Sequence, residues 1–170
     1  LTKVTIIPHG MAMGVTEQTP QEDRYTYTES YLKDRIKVML GGRSAEKVIY
    51  GEVSTGAQND LKEATRLLRR MIGQWGMSEK VGPLGLSIGE EHVFLGREMG
   101  APREFSEKMA ELIDAEIQQQ LIELERETVE FLKAHRNHLE ALTREVLQKE
   151  TLSAEEIDEI LRREDDRKIA

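Results

Sequence analysis

Ser54-Thr55-Gly56-Ala57-Gln58-Asn59-Asp60-Leu61 is a polar turn with one glycine that runs straight into apolar residues at helical spacing. From Leu61 to Gln74, the residues Leu61, Ala64, Leu68, Met71 and Ile72 recur three and four apart, which predicts an amphipathic helix with one buried stripe. Asp60 then falls in its first turn. A carboxylate there meets free backbone N–H groups and the positive end of the helix dipole, which order it and favour its charge. Two readings stand: an acid serving only the start of its own helix, or an ordered anionic oxygen of the kind a divalent metal takes.

Upstream of this turn, Leu32, Ile36, Met39 and Leu40 share a stripe and predict a helix from about Thr28 to Leu40. Gly41-Gly42 follows, before Ser44 to Tyr50. Two adjacent glycines cost a helix about 2 kcal/mol relative to alanine, so the pair predicts an end, a bend or a close approach. Nearer the start, Lys3-Val4-Thr5-Ile6-Ile7 is a β-branched run stopped by Pro8, and Ala12 to Thr19 is a second extended segment stopped by Pro20. With the turn at His9-Gly10 between them they predict a hairpin. Downstream, Trp75 to Ser78 closes the Asp60 helix, with Met71, Trp75 and Met77 read as core. Val81 to Leu86 reads as a turn and short strand, and Glu90 to Arg103 as a mobile loop.

All thirteen glycines, with Gly100 at the boundary, and all four prolines precede Glu104. This change of texture separates residues 1–103, the hairpin, two helices and loop, from residues 104–170, a helical bundle of the same domain. In the second part Ile113, Ile117, Leu121, Leu124, Phe131 and Leu132 form one inner stripe. After a turn near Arg136-Asn137, Leu139, Leu142, Val146 and Leu147 form another. Ser153-Ala154-Glu155-Glu156 is a capping box before Ile157, Ile160 and Leu161, and the polar end from Arg162 is expected to fray. The fold class is therefore mainly α, of the α+β kind.

The 170 residues suit one ordinary domain. No run of 18 apolar residues and no basic leader occurs, so no membrane span or signal peptide is predicted within them. Beginning at Leu1, on the approach to a strand, the sequence is expected to be a piece of a longer chain. A net charge of −8, with the basic residues interleaved among glutamates, excludes a nucleic-acid grip built on clustered Lys and Arg. The absence of cysteine excludes disulfides, thiolate metal sites and cysteine nucleophiles, leaving His, Asp and Glu as metal ligands.

The histidines are His9, His92, His135 and His138, and no H-E-x-x-H is present. His135 and His138 share a face near Glu140 but sit among Lys133, Arg136 and Asn137, where cationic groups complement a helix end. No phosphate-binding loop and no G-x-S-x-G elbow occurs. Asp60 and Glu46 remain as acids in informative places.

The order of segments nevertheless resembles a known family. Val4-Thr5-Ile6-Ile7-Pro8, Leu40-Gly41-Gly42-Arg43-Ser44-Ala45-Glu46, Ser54 to Leu61, Trp75-Gly76-Met77-Ser78-Glu79-Lys80-Val81-Gly82-Pro83-Leu84, Val93-Phe94-Leu95-Gly96-Arg97 and the Glu150-Thr151-Leu152 turn resemble the peptidase domain of FtsH. Members of that family are membrane-anchored, ATP-dependent AAA zinc metalloproteases. The resemblance covers essentially the whole chain. It implies a zinc endopeptidase that degrades unfolded membrane and cytosolic proteins processively. It also implies a homo-hexameric ring fed by an upstream AAA ATPase domain using ATP and Mg²⁺, with the bacterial inner membrane as anchor, the domain on its cytoplasmic side, and an organelle homologue as the other setting.

By the same match, Asp60 is the third zinc ligand, and Glu46 is a second acid near the metal that orients a ligating imidazole or competes as ligand. Gly41 and Gly42 would permit close helix packing around the site. Gly14, Val15 and Thr16 match the edge strand to which substrate adds as a further strand. The family's two histidines and general base come from an H-E-x-x-H helix before the first strand, so no catalytic base is expected within residues 1–170. His9-Gly10-Met11 also departs from the Arg-Gly-Arg common at that turn. The competing reading is an inactive helical assembly module without the H-E-x-x-H site.

Overall fold

The computed structural model describes residues 2–8, 15–17, 26–86 and 105–169. It is mainly helical and divides into two compact units, residues 26–130 and residues 1–25 with 131–170. This division by contact cuts across the division by composition at residue 103.

In residues 26–130, helix α1 spans Glu29–Tyr50. Thr28 caps it by accepting the Tyr31 N–H at 3.3 Å, and Glu29 pairs with Lys33 one turn on at 2.7 Å. The helix runs unbroken through Gly41 and Gly42, so the expected interruption is not there. The glycines are carried by their neighbours. Leu40 and Ser44 are buried, while Arg43 Nε and Lys47 Nζ reach Glu125 at 2.8 and 2.6 Å. Nor does close packing explain them: a Cβ at either would meet nothing within 4 Å. Gly51 then ends α1 with a φ of 75°, its N–H donating to the Lys47 carbonyl.

A single 3-10 turn, Thr55–Ala57, leads into α2, Gln58–Gly73. Ala64, Leu68, Met71 and Ile72 are buried on the predicted stripe. They meet Leu32, Ile36 and Leu40 of α1, Val81, and Ile113, Ile117 and Leu124 of α3, Glu107–Ala134. Beyond α2 the chain makes a corner, in which Met77 N–H donates to the Met71 carbonyl and Leu86 N–H to the Gly73 carbonyl. Gly76 has a φ of 62°, and a Cβ there would lie 2.9 Å from Pro83 Cα. Residues 84–86 form no strand, contrary to expectation, because their backbone is spent on this corner. Trp75 is 40% exposed rather than core, with the Arg70 guanidinium 4.7 Å over its ring. The expected loop at Glu90 to Arg103 lies outside the described residues.

The other unit is built on a sheet of three short strands, β1 at Lys3–Thr5, β2 at Val15–Glu17 and β3 at Thr151–Ser153, in the order β2-β1-β3. Both pairings are antiparallel, with Thr5 opposite Val15 on one side and Thr151 on the other. The predicted hairpin is present as β1 and β2, while its turn at His9-Gly10 lies outside the described residues. The third strand was expected only as a turn. Helix α4, Arg136–Lys149, ends at Glu150, whose φ of 62° swings the chain into β3. Helix α5, Ala154–Ile169, starts from the predicted capping box: Ser153 Oγ accepts the Glu156 N–H at 3.3 Å and Glu156 Oε2 accepts the Ser153 N–H at 3.0 Å. Its polar end stays helical to Ile169 rather than fraying. Ala141, Val146, Leu152, Ile157 and Ile160 form the core of this unit. Phe131 and Leu147, both expected inside, are 61% and 67% exposed.

Candidate functional site

Asp60 stands in the first turn of α2, as the spacing predicts, and its side chain is exposed. Its surroundings differ from expectation in one respect. The carboxylate has no hydrogen-bond or ion-pair partner among the described residues. It caps nothing. An acid that serves only its own helix would spend its oxygens on the first backbone N–H groups. Asp60 leaves both of its oxygens open to an external ligand.

Glu46 is the opposite case. Its Oε1 accepts from Ser54 Oγ at 2.5 Å and its Oε2 from the Ser54 backbone N–H at 2.8 Å. The Ser54 hydroxyl and then its N–H, with a smaller contribution from Arg43, hold the Glu46 carboxyl below its ordinary range. A carboxylate held through both oxygens to a neighbouring turn is fixed in direction, and it meets no imidazole among the described residues. The structure brings Glu46 to the segment that carries Asp60 rather than to the Asp60 carboxylate. Ser54, the residue that joins them, was not singled out by sequence reasoning. The signal for it was Gly51, whose left-handed cap returns the chain toward the last turn of α1.

Two further acids in this unit, Glu125 and Glu116, are likewise engaged, whereas Glu52, Glu79 and Glu111 resemble Asp60 in having no such partner among the described residues. Burial pushes the Glu125 carboxyl up, but Lys47 and Arg43 together carry it below its ordinary range. Glu116 lines an open groove with Ser78, Lys80 and Gln120. Burial raises its pKa too, and the Gln120, Lys80 and Ser78 contacts more than offset that. Ser78 Oγ and Gln120 Nε2 donate to Glu116 Oε1, while Lys80 Nζ lies 2.9 Å from Oε2.

In the other unit, His135 Nδ1 donates to the Phe131 carbonyl at 2.8 Å, the helix-end role expected of it. His138 is buried, with Nε2 2.8 Å from Asp165 Oδ1 in a close approach that lacks the alignment of a hydrogen bond. The rings of His135 and His138 stack with centroids 5.5 Å apart. Among the described residues no three His, Asp or Glu side chains converge on a point where a metal would sit. His9, His92 and Gly14 lie outside those residues. Val15 and Thr16 are in β2, an edge strand of the sheet with β1 on one side.

Residues 1–160 match Peptidase family M41. The chain belongs to this family. Among curated relatives, the ATP-dependent zinc metalloprotease FtsH of Marinobacter nauticus is 79% identical over 161 residues, covering 95% of this chain and 25% of that protein. A protein of the same name from Nitrosococcus oceani is 51% identical over 162 residues, with the same two shares. The ATP-dependent zinc metalloprotease FtsH 4 of Sphaerobacter thermophilus is 49% identical over 161 residues, covering 95% of this chain and 24% of that protein. The chain thus spans about a quarter of the length of the curated relatives it matches. No helix among its described residues is long and apolar enough to cross a membrane.

The donor chemistry at Asp60 is compatible with zinc. An aspartate oxygen is an ordinary zinc ligand, and Asp60 offers one without a competing partner. The remaining ligands of such a site are not among the described residues.

Proposed function

We propose that this chain is the peptidase part of an ATP-dependent zinc metalloendopeptidase and that Asp60 is one of three protein ligands to its zinc. The observation that carries the reading is the unpartnered Asp60 carboxylate at the start of α2, in a chain 79% identical to a protein named for that activity. Zinc held there would supply a Lewis acid that polarises a peptide carbonyl and lowers the pKa of water, so that the water can lose a proton to a base and become nucleophilic near neutral pH. Asp60 contributes a hard anionic donor on a rigid helix start, and the remaining ligands and the general base come from an H-E-x-x-H helix outside residues 1–170. The edge strand containing Val15 and Thr16, with Gly14 before it, takes the main chain of an unfolded substrate by strand addition, a mode indifferent to most side chains. The intact protein works as a membrane-anchored homo-hexamer, its ATPase module consuming ATP with Mg²⁺ to feed membrane and cytosolic proteins to the peptidase. The bacterial inner membrane is its setting, with this domain on the cytoplasmic side.

In the full-length protein, Asp60→Ala should lose bound zinc and casein cleavage while keeping ATP hydrolysis and helical circular dichroism. Stoichiometric zinc with undiminished cleavage in that variant would end the assignment. In the same assay Val15→Pro should raise KM for unfolded protein, and an unchanged KM would remove β2 from substrate binding.

A further inference from the structure

We infer that Glu46 is a positioning residue for Asp60, acting through Ser54 on the turn that sets the start of α2. The inference rests on the reading of Asp60 as a zinc ligand and adds a mechanism for holding it. A side chain with no hydrogen bonds of its own is placed only by its backbone. For Asp60 that backbone is the 3-10 turn Thr55–Ala57 and the first turn of α2.

The turn is fixed at both ends. Its far end is pinned by Ala57, which is 8% exposed. Its near end is Ser54, which gives its N–H and its hydroxyl proton to the two oxygens of Glu46, at 2.8 and 2.5 Å. With that proton spent, Ser54 Oγ accepts the Gly56 N–H at 3.2 Å, closing the turn. Glu46 in turn stands on a stretch of α1 that cannot drift. Ser44 is fully buried, and Arg43 and Lys47 are both tied to Glu125 of α3. The relay Glu46–Ser54–Gly56 transfers the rigidity of α1 to the turn before Asp60. Charge-assisted bonds to both carboxylate oxygens are among the stronger ones available to a side chain.

The test is zinc affinity, measured by chelator competition on the full-length protein and four variants. Asp60→Ala should lose stoichiometric zinc. Glu46→Ala and Ser54→Ala should each weaken zinc about 10–100-fold, the usual effect of removing a group that orients a ligand. The double variant should be no weaker than Glu46→Ala alone, because both changes break one relay. Ser54 is exposed, so Ser54→Ala should keep the wild-type helical circular dichroism and report on zinc rather than on loss of the fold. If Asp60→Ala loses zinc while Ser54→Ala binds it like wild type, the relay is wrong and the zinc reading survives. Losses that multiply in the double variant would also overturn it, since Glu46 would then act on the metal by a separate route. If Asp60→Ala keeps its zinc, the underlying reading falls and takes the relay with it.

Discussion

In residues 26–130, three helices close over a single apolar core that runs from Leu32 through Leu68 and Met71 to Ile113. In the unit made from the two ends of the chain, a smaller core around Leu152, Ile157 and Ile160 is joined by a polar seam. In that seam Thr5 Oγ1 meets Thr151 Oγ1 at 2.8 Å and the Glu150 carbonyl at 3.1 Å, and the β1–β3 ladder continues it. The first unit has the larger apolar core, and the second adds backbone register and hydroxyls to a smaller one. The two also differ in what they position: Asp60 stands beside Leu61, which packs on the large core, whereas Val15 and Thr16 lie on an edge strand of the short sheet among the described residues.

Three measurements sharpen or break this contrast. The largest effects come from the cores. Leu68→Ala removes a fully buried side chain from the large core and should cost about 2–5 kcal/mol, read as raised amide exchange in α1 and α2. Leu152→Ala should show its own loss in β1 and α5. A Leu68→Ala variant with wild-type exchange in α1 would contradict the shared core. Next, Thr5→Val keeps volume and removes the hydroxyl. It should cost about 1 kcal/mol, seen as faster exchange at Ile6, whose N–H donates to Glu150. No change would show that the seam contributes nothing beyond the ladder.

The smallest effect is one of pH. Glu125 has a folded pKa below its ordinary 4.5, after burial has been outweighed by Lys47 and Arg43. Below pH 4.5 the unfolded chain therefore binds more protons than the folded one, and stability rises with pH across that window. The contribution is complete above 4.5 and is lost as pH falls through the folded value. Urea melts at neutral pH and at about pH 3.5 should show a smaller acid loss in Glu125→Gln than in wild type. Equal losses would mean the pair with α1 is not felt.

The contrast also explains what the sequence disclosed. α2 was legible because five apolar residues at helical spacing all turn out to face one core, four of them buried and Leu61 packed beside them. The capping box at Ser153 was legible because it is local. β3 was not, since a three-residue strand has no periodicity and its partner β1 lies at the other end of the chain. Gly41-Gly42 misled because propensity is summed locally, while α1 is held by the core and by Glu125. Phe131 and Leu147 misled because stripe membership does not say where a neighbouring element ends. At the candidate site, the position of Asp60 could be read from spacing, but its lack of any partner could not. Glu46 could be picked out as an acid near that motif, while its partner Ser54 depended on the fold of the chain back at Gly51.

The pairing of β1 with β3 has a consequence in time. Thr5 and Thr151 are 146 residues apart, so during synthesis β1 leaves the ribosome long before its second partner exists. Helices α1, α2 and most of α3 can bury their common core in that interval, since all of their contacts are already in hand. Long-range strand pairing is slow to form and waits on the whole chain. The β1–β3 pairing thus closes late, and a nascent chain halted before residue 151 would hold its helical core but lack β3 and α5.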